Sequence, residues 1–258
     1  MPFFETVESM VAGAVFGGLL FFFSVLPAPA GGRFDLPPLP PPEEYGNVRM
    51  DRASPKGVKP VVFSHWVHRQ KFTCGVCHGE LGFNLEANTT EVTEAKIREG
   101  RFCGACHNGL RAFRAVDHCD RCHSGEAPPA AREKFAEFDE RQFPAAPYGN
   151  GIDWVAALKG GLFAPATFLK VRPKEVPFDR TLLLEAEWNF VPPAIFPHAE
   201  HLRWMGCDTC HPDVFNIKKK TTEHFFMSAI LKGEFCGACH LRVAFPMDDC
   251  RRCHPGMD

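Results

Sequence analysis

One pattern, Cys-x-x-Cys-His, occurs six times in this 258-residue chain and uses all twelve of its cysteines: Cys74/Cys77/His78, Cys103/Cys106/His107, Cys119/Cys122/His123, Cys207/Cys210/His211, Cys236/Cys239/His240 and Cys250/Cys253/His254. Two thiols three positions apart on one turn meet the two vinyl groups of a haem, and the histidine that follows reaches the iron. Zinc ribbons also pair cysteines, but they do not need His after every second Cys, and chance would put it there about once in 20. A thioredoxin-like pair would occur once, inside a βαβ pattern. Six covalently attached haem c groups are therefore expected, with the twelve cysteines as anchors and His78, His107, His123, His211, His240 and His254 as proximal ligands.

No cysteine is left for a disulfide, so cysteine pairing says nothing about compartment. Thioether attachment does: in bacteria it takes place outside the cytoplasmic membrane, which places the chain from Cys74 onward in the periplasm or beyond. Six macrocycles supply core that the polypeptide otherwise would, and 25 Phe against two Tyr suit packing on porphyrin faces. The net charge of -2 names no partner. Lys218, Lys219 and Lys220 form the one basic run and read as a solvated face, so nucleic acid is not expected.

Met10 to Leu26 is an apolar run without a charge, at the lower limit for spanning a bilayer. Two readings compete. Ala28-Pro29-Ala30 before Gly31 fits a cleavage site, giving an exported, soluble protein. The segment before the run, however, carries Glu5 and Glu8 and no Lys or Arg, and Gly13 and Gly17 have the spacing of a transmembrane contact. The expectation is a retained anchor over 1-26 that tethers the chain to the periplasmic side of the inner membrane. Residues 27-60 hold nine prolines and read as an extended linker; a site for a proline-binding partner is the lesser reading.

Beyond the linker the chain repeats. Phe63-Ser64-His65-Trp66-Val67-His68 returns as Phe196-Pro197-His198-Ala199-Glu200-His201, and the first two Cys-x-x-Cys-His motifs return 133 positions later, the third 131. Ile97 with Ile230, Gly100 with Gly233 and Phe102 with Phe235 keep the offset of 133. Gly100 and Gly233 read as helix stops after short helices ending near Arg98 and Leu231. Two three-haem modules are expected, 61-125 and 194-258. Between them 126-193 reads as a folded spacer packing on haem edges: a helix over Ala130 to Arg141, a second capped by Asp153 and ending at Gly160, and a helix or strand over Thr181 to Trp188.

Six histidines lie outside the motifs: His65, His68, His118, His198, His201 and His224. Phe-x-His-x-x-His, followed by three Cys-x-x-Cys-His motifs within about 60 residues, resembles the triheme cytochromes of the c-seven type, relatives of cytochrome c-three. The resemblance covers roughly half of the chain. It implies a multihaem cytochrome c fold, short helices and irregular loops wrapped around haems in two tandem triheme modules, to which the apolar run adds one N-terminal transmembrane helix. It also implies distal ligands: His65 for the His78 iron, His68 for the His107 iron, His198 for the His211 iron and His201 for the His240 iron. The family takes its third distal ligand from the segment before the second motif. There the second module offers His224 and Met227 for the His254 iron, while Gly79 to Phe102 holds neither His nor Met, with Glu91 and Glu94 at the matching positions. The His123 iron is thus the irregular one. His118 precedes its own Cys119 too closely to reach the far face of that haem comfortably, and is left either to serve across a module boundary or to bond a propionate.

These readings point to an electron carrier rather than an enzyme, linking a quinol-oxidising or photosynthetic membrane complex, met through the N-terminal helix, to a soluble or outer-membrane cytochrome. Two alternatives differ in class. One is a reductase of a small molecule such as nitrite, with an open coordination site at the His123 haem. The other is a scaffold subunit that makes its contacts through the middle segment.

Overall fold

The computed structural model describes residues 36-52, 57-126, 133-137, 143-172, 174, 176-215 and 226-257. The apolar run 10-26, its competing cleavage site and His224 lie outside them. Among the described residues no helix is long and apolar enough to cross a membrane.

The regular elements are short because haem motifs, glycines and prolines interrupt any longer period; the longest helix described, Trp154–Lys159, has six residues. Each repeat opens on a two-stranded antiparallel ribbon. In the first, β1 (Asn47–Met50) pairs with β2 (Val61–Ser64), Asn47 opposite Ser64. In the second, β3 (Thr181–Leu184) pairs with β4 (Ala194–Pro197), Thr181 opposite Pro197. The strand leading each ribbon lies in sequence expected as linker or spacer: β1 falls within 27-60, and β3 settles Thr181 to Trp188 in favour of a strand. β2 and β4 run straight into the one-turn helices His65–Arg69 and His198–Leu202. The helices Glu94–Arg98 and Met227–Ile230 stop at left-handed Gly100 and Gly233, with φ of +76° and +96°, as the sequence predicts.

The proline-rich segment ends docked. Tyr45 is 2% exposed and its hydroxyl donates to Ala244 O at 2.6 Å, while Asn150 Nδ2 donates to Pro42 O and Tyr45 O at 2.7 and 2.9 Å. Its last residues are therefore tied both to the middle segment and to the second repeat.

That middle segment builds the apolar centre. Trp66, Ile152 and Trp154 are buried, with Val67, Phe135, Phe143, Phe163 and Trp204 packed on them. Trp66 belongs to the first repeat and Trp204 to the second; the other aromatic rings come from the connecting segment, which thus glues the modules as well as spacing them. Phe135, on a helical turn at 133-137, meets Trp66 edge-on at 5.3 Å. Asp153 caps the helix Trp154–Lys159 by accepting from Val155 N and Ala156 N, as expected. Its other carboxylate oxygen meets Arg252 of the second repeat at 3.4 Å. Residues Leu36–Asp258 form one compact unit.

Candidate haem sites

The histidines of the Phe-x-His-x-x-His segments are set by one local device. In the first repeat the Phe63 ring stands edge-on to His65 at 4.8 Å and tilted on His68 at 4.4 Å. In the second, Phe196 does the same to His198 at 4.9 Å and to His201 at 4.2 Å. A three-residue step on one helical turn keeps both imidazoles on one side, and the aromatic ring between them fixes their orientation.

Three of the four expected ligand pairs face each other. Ring centres are 6.4 Å apart for His65 and His78, and 6.3 Å apart both for His68 with His107 and for His201 with His240. Two metal–nitrogen bonds of about 2.0 Å, plus about 1.1 Å from each nitrogen to its ring centre, put imidazoles on opposite sides of one iron about 6 Å apart. The separations fit a haem iron between each pair. His198 and His211 make no such ring pair, although His198 is oriented like His65.

Each of these rings is held by its Nδ1. The proximal histidines bond to backbone carbonyl oxygens: His78 to Phe83, His107 to Phe113, His123 to Lys59, His211 to Phe215, His240 to Phe245 and His254 to Pro192, at 2.6 to 3.2 Å. His65 bonds to Gly46, His68 to Ser64, His198 to Arg180 and His201 to Pro197, at 2.7 to 3.0 Å. A carbonyl can only accept, so Nδ1 carries the proton and donates, and the Nε2 lone pair is left for a metal. The ribbons explain the acceptors. Gly46 and Arg180 precede β1 and β3, while Lys59 and Pro192 lie just before β2 and β4, so the residues entering the ribbons hold the expected ligands of first and third sites alike.

Electrostatics favour the neutral imidazole that this tautomer requires. Burial pulls the pKa of His65 from 6.5 to about 3 and that of His240 to about 4, and burial is also the main cause lowering His68, His78, His107 and His201. These imidazoles stay neutral at neutral pH. Burial raises the Cys77 thiol to about 12, with Cys74, Cys106 and Cys103 adding like charge. Each of the twelve cysteines is free of disulfides. Among the described residues no three His, Cys, Asp or Glu side chains converge as a metal cage requires.

The residues that bear on the expected third site of the first repeat are engaged elsewhere or exposed. Glu91 and Glu94, which stand where the second repeat has His224 and Met227, are engaged in exposed ion pairs with Lys96 at 2.7 Å and Arg98 at 2.6 Å. His118 is exposed, meets Phe113 edge-on at 5.8 Å and makes no ring pair with another histidine. Met227 is half-buried at the start of its helix.

Sequence reading missed how tightly the second motifs are built. A Cβ on Gly104 would fall 2.0 Å from Ile97 O, and one on Gly237 would fall 1.8 Å from Ile230 O. The residues before these motifs, Phe102 and Phe235, take left-handed φ of +50° and +49°, a conformation that costs a non-glycine residue about 1–3 kcal/mol. The shared Cys-Gly-Ala-Cys spelling of both second motifs was the available signal. Arg69 was also missed. It donates to Val243 O across the modules and lies over the Trp154 ring at 5.3 Å.

The family model described as "Cytochrome c7 and related cytochrome c" matches residues 61–124 and 194–255. Among solved structures, the chain is similar to the C-terminal hexaheme fragment of GSU1996, with 27% identity, 84% of this chain and 99% of that one covered, and a TM-score of 0.27. It is likewise similar to the dodecaheme cytochrome c GSU1996, with 27% identity, 83% and 75% covered, and a TM-score of 0.27. A search of curated proteins gives no match.

Proposed function

We propose that this chain, which belongs to the cytochrome c7 family through two tandem modules, is a hexahaem electron carrier. The observation that carries the reading is the facing of His65 with His78, His68 with His107 and His201 with His240, each ring fixed through Nδ1. Each of these pairs would hold an iron from both sides and would leave no place for a substrate. Haem supplies one-electron chemistry when bound. The chain's own side chains orient the ligands, exclude water and keep each imidazole neutral, so that little need rearrange when charge changes. In this reading His198 completes the His211 site, and Met227 or His224 the His254 site.

The N-terminal run 10-26 supports tethering to the periplasmic face of the inner membrane, with residues 27-60 carrying the haem unit away from it. A quinol-oxidising or photosynthetic membrane complex on one side, and a soluble or outer-membrane cytochrome on the other, are the partners such a tether suits.

Intact mass together with low-temperature EPR of the holoprotein tests the reading. Six covalent haems with predominantly low-spin iron are expected. A mass short of six haems, or high-spin iron accompanied by sustained nitrite reduction, would overturn it in favour of a reductase at the His123 site.

A further inference from the structure

We infer that the two modules join head to head, through the first haem site of each, so that the sites run His123, His107, His78, His211, His240, His254 rather than in sequence order. The inference rests on the carrier reading and says where an electron passes between modules. Covalent attachment makes it possible, because the porphyrin edge that carries the thioethers goes wherever the motif peptide goes.

Across the modules the first motif packs its peptide against the fourth, and its Cys74 lies within electrostatic reach of both Cys210 and Cys239. Gly75, inside the Cys74 motif, donates its N–H to Trp204 O at 2.9 Å, and a Cβ on it would meet Met205 Cα at 3.2 Å. Met205 Sδ lies 3.6 Å from Cys210 Sγ, so Gly75 and Met205 form a short bridge from one attachment site to the other. Gly79 faces Asp208 and Thr209 of the fourth motif, at 3.7 and 3.8 Å from its would-be Cβ. A side chain at Gly75 would wedge these peptides apart.

Inside each module the order follows from shared rings. His65 and His68, one turn apart, face His78 and His107, which makes the first and second sites neighbours. The second and third sites share Phe113: its ring packs on His107 at 4.4 Å, and Arg121, between Cys119 and Cys122, lies over it at 4.0 Å. The second module repeats this with Phe245, 4.3 Å from His240 and 4.9 Å from Arg252. The His123 motif, meanwhile, is held within its own repeat, by Lys59 O on His123, by Pro60 O on Gly125 N and by Arg49 on Gly125 O. The long segment 126-193 brings the chain back from that outer site to start the second module beside the first site of the first. With haems held at both sites, an electron crossing there would leave a ferrous iron in one module and reach a ferric iron in the other, with no further reactant. The two third sites become the ends of the relay, where donor and acceptor meet it.

Proton NMR of the fully reduced holoprotein tests the order, because cross-relaxation between haem substituents reports distance directly. Cross-peaks between the His78 haem and the His211 haem are expected, with none between the His123 haem and the His211 haem. The opposite pattern overturns the inference and restores sequence order. Nitrite turnover by a protein that shows these cross-peaks would overturn the carrier reading alone; their absence from a low-spin hexahaem protein would overturn the head-to-head order alone.

Discussion

In the first repeat Phe63 holds His65 and His68, and in the second Phe196 holds His198 and His201, at nearly equal distances and angles. On and just after that same turn the likeness ends. Trp66 is matched by Ala199, Arg69 by Leu202 and Lys71 by Trp204. The positions that repeat are those whose chemistry a haem dictates: an Nδ1 acceptor, a ring beside the ligand, a glycine under the second motif. Among those that differ, Trp66 enters the core shared with the connecting segment and Arg69 reaches Val243 of the other module. Duplication kept the haem frame, and divergence built the joint.

The hardest test of that division is at the second motifs, where both repeats demand the same absence of a side chain. Gly104→Ala and Gly237→Ala each put a Cβ within about 2 Å of a carbonyl oxygen, a contact that backbone movement must relieve. Each is expected to cost its module the second haem, read as one haem less by intact mass. If one repeat tolerates the change and the other does not, the frame is not shared.

Trp66→Ala probes the joint. Loss of a buried Trp costs about 3–5 kcal/mol, so a large fall in thermal midpoint is expected, whereas Ala199→Gly at the matching position should change it little. Equal effects would place Trp66 in the frame rather than the joint.

Acid sharpens the comparison. Because burial lowers the His65 pKa to about 3 and the His240 pKa to about 4 from an ordinary 6.5, the unfolded chain binds more protons than the folded one below that ordinary value. Stability is therefore fully present above about pH 6.5 and declines as pH falls toward 4 and then 3. Iron on Nε2 acts in the same direction. Thermal melts at neutral pH and at pH 5 should show the decline with the low-spin spectrum retained; a midpoint that rises on acidification would contradict it.

Much of this was legible in the sequence, because covalent haem attachment is written in local spacing. The six motifs, the 133-residue offset, the Phe-x-His-x-x-His pairs, the Asp153 cap and the stops at Gly100 and Gly233 are all short-range signals. What stayed hidden depends on distant backbone. That Lys59 O meets His123 and Pro192 O meets His254 follows from strand pairing across gaps that no residue type announces. β1, four residues beyond a proline-rich run, looks like linker until its partner is known. The order of the haem sites was hidden for the same reason, since sequence order and spatial order part company at the 126-193 return.

The smallest expected effect concerns Arg69, the cation of the joint. Burial pulls its pKa down, while Cys74, Tyr45 and Cys239 pull it back up, so the guanidinium lies within electrostatic reach of one haem-bearing sulfur in each module. A fixed positive charge beside a haem disfavours the ferric form and raises the reduction potential; removing it lowers the potential. Arg69→Leu, which installs the residue found at Leu202, should lower the potentials of the His78 and His240 sites and leave those of the outer His123 and His254 sites nearly in place. Spectroelectrochemical titration with site-assigned NMR reads the shift, and Arg69→Lys separates charge from packing. It keeps the positive charge and loses the planar fork that bonds Val243 O, so it should retain the potentials while lowering the thermal midpoint. If Leu and Lys shift the potentials alike, Arg69 acts by holding the modules together and its charge is incidental.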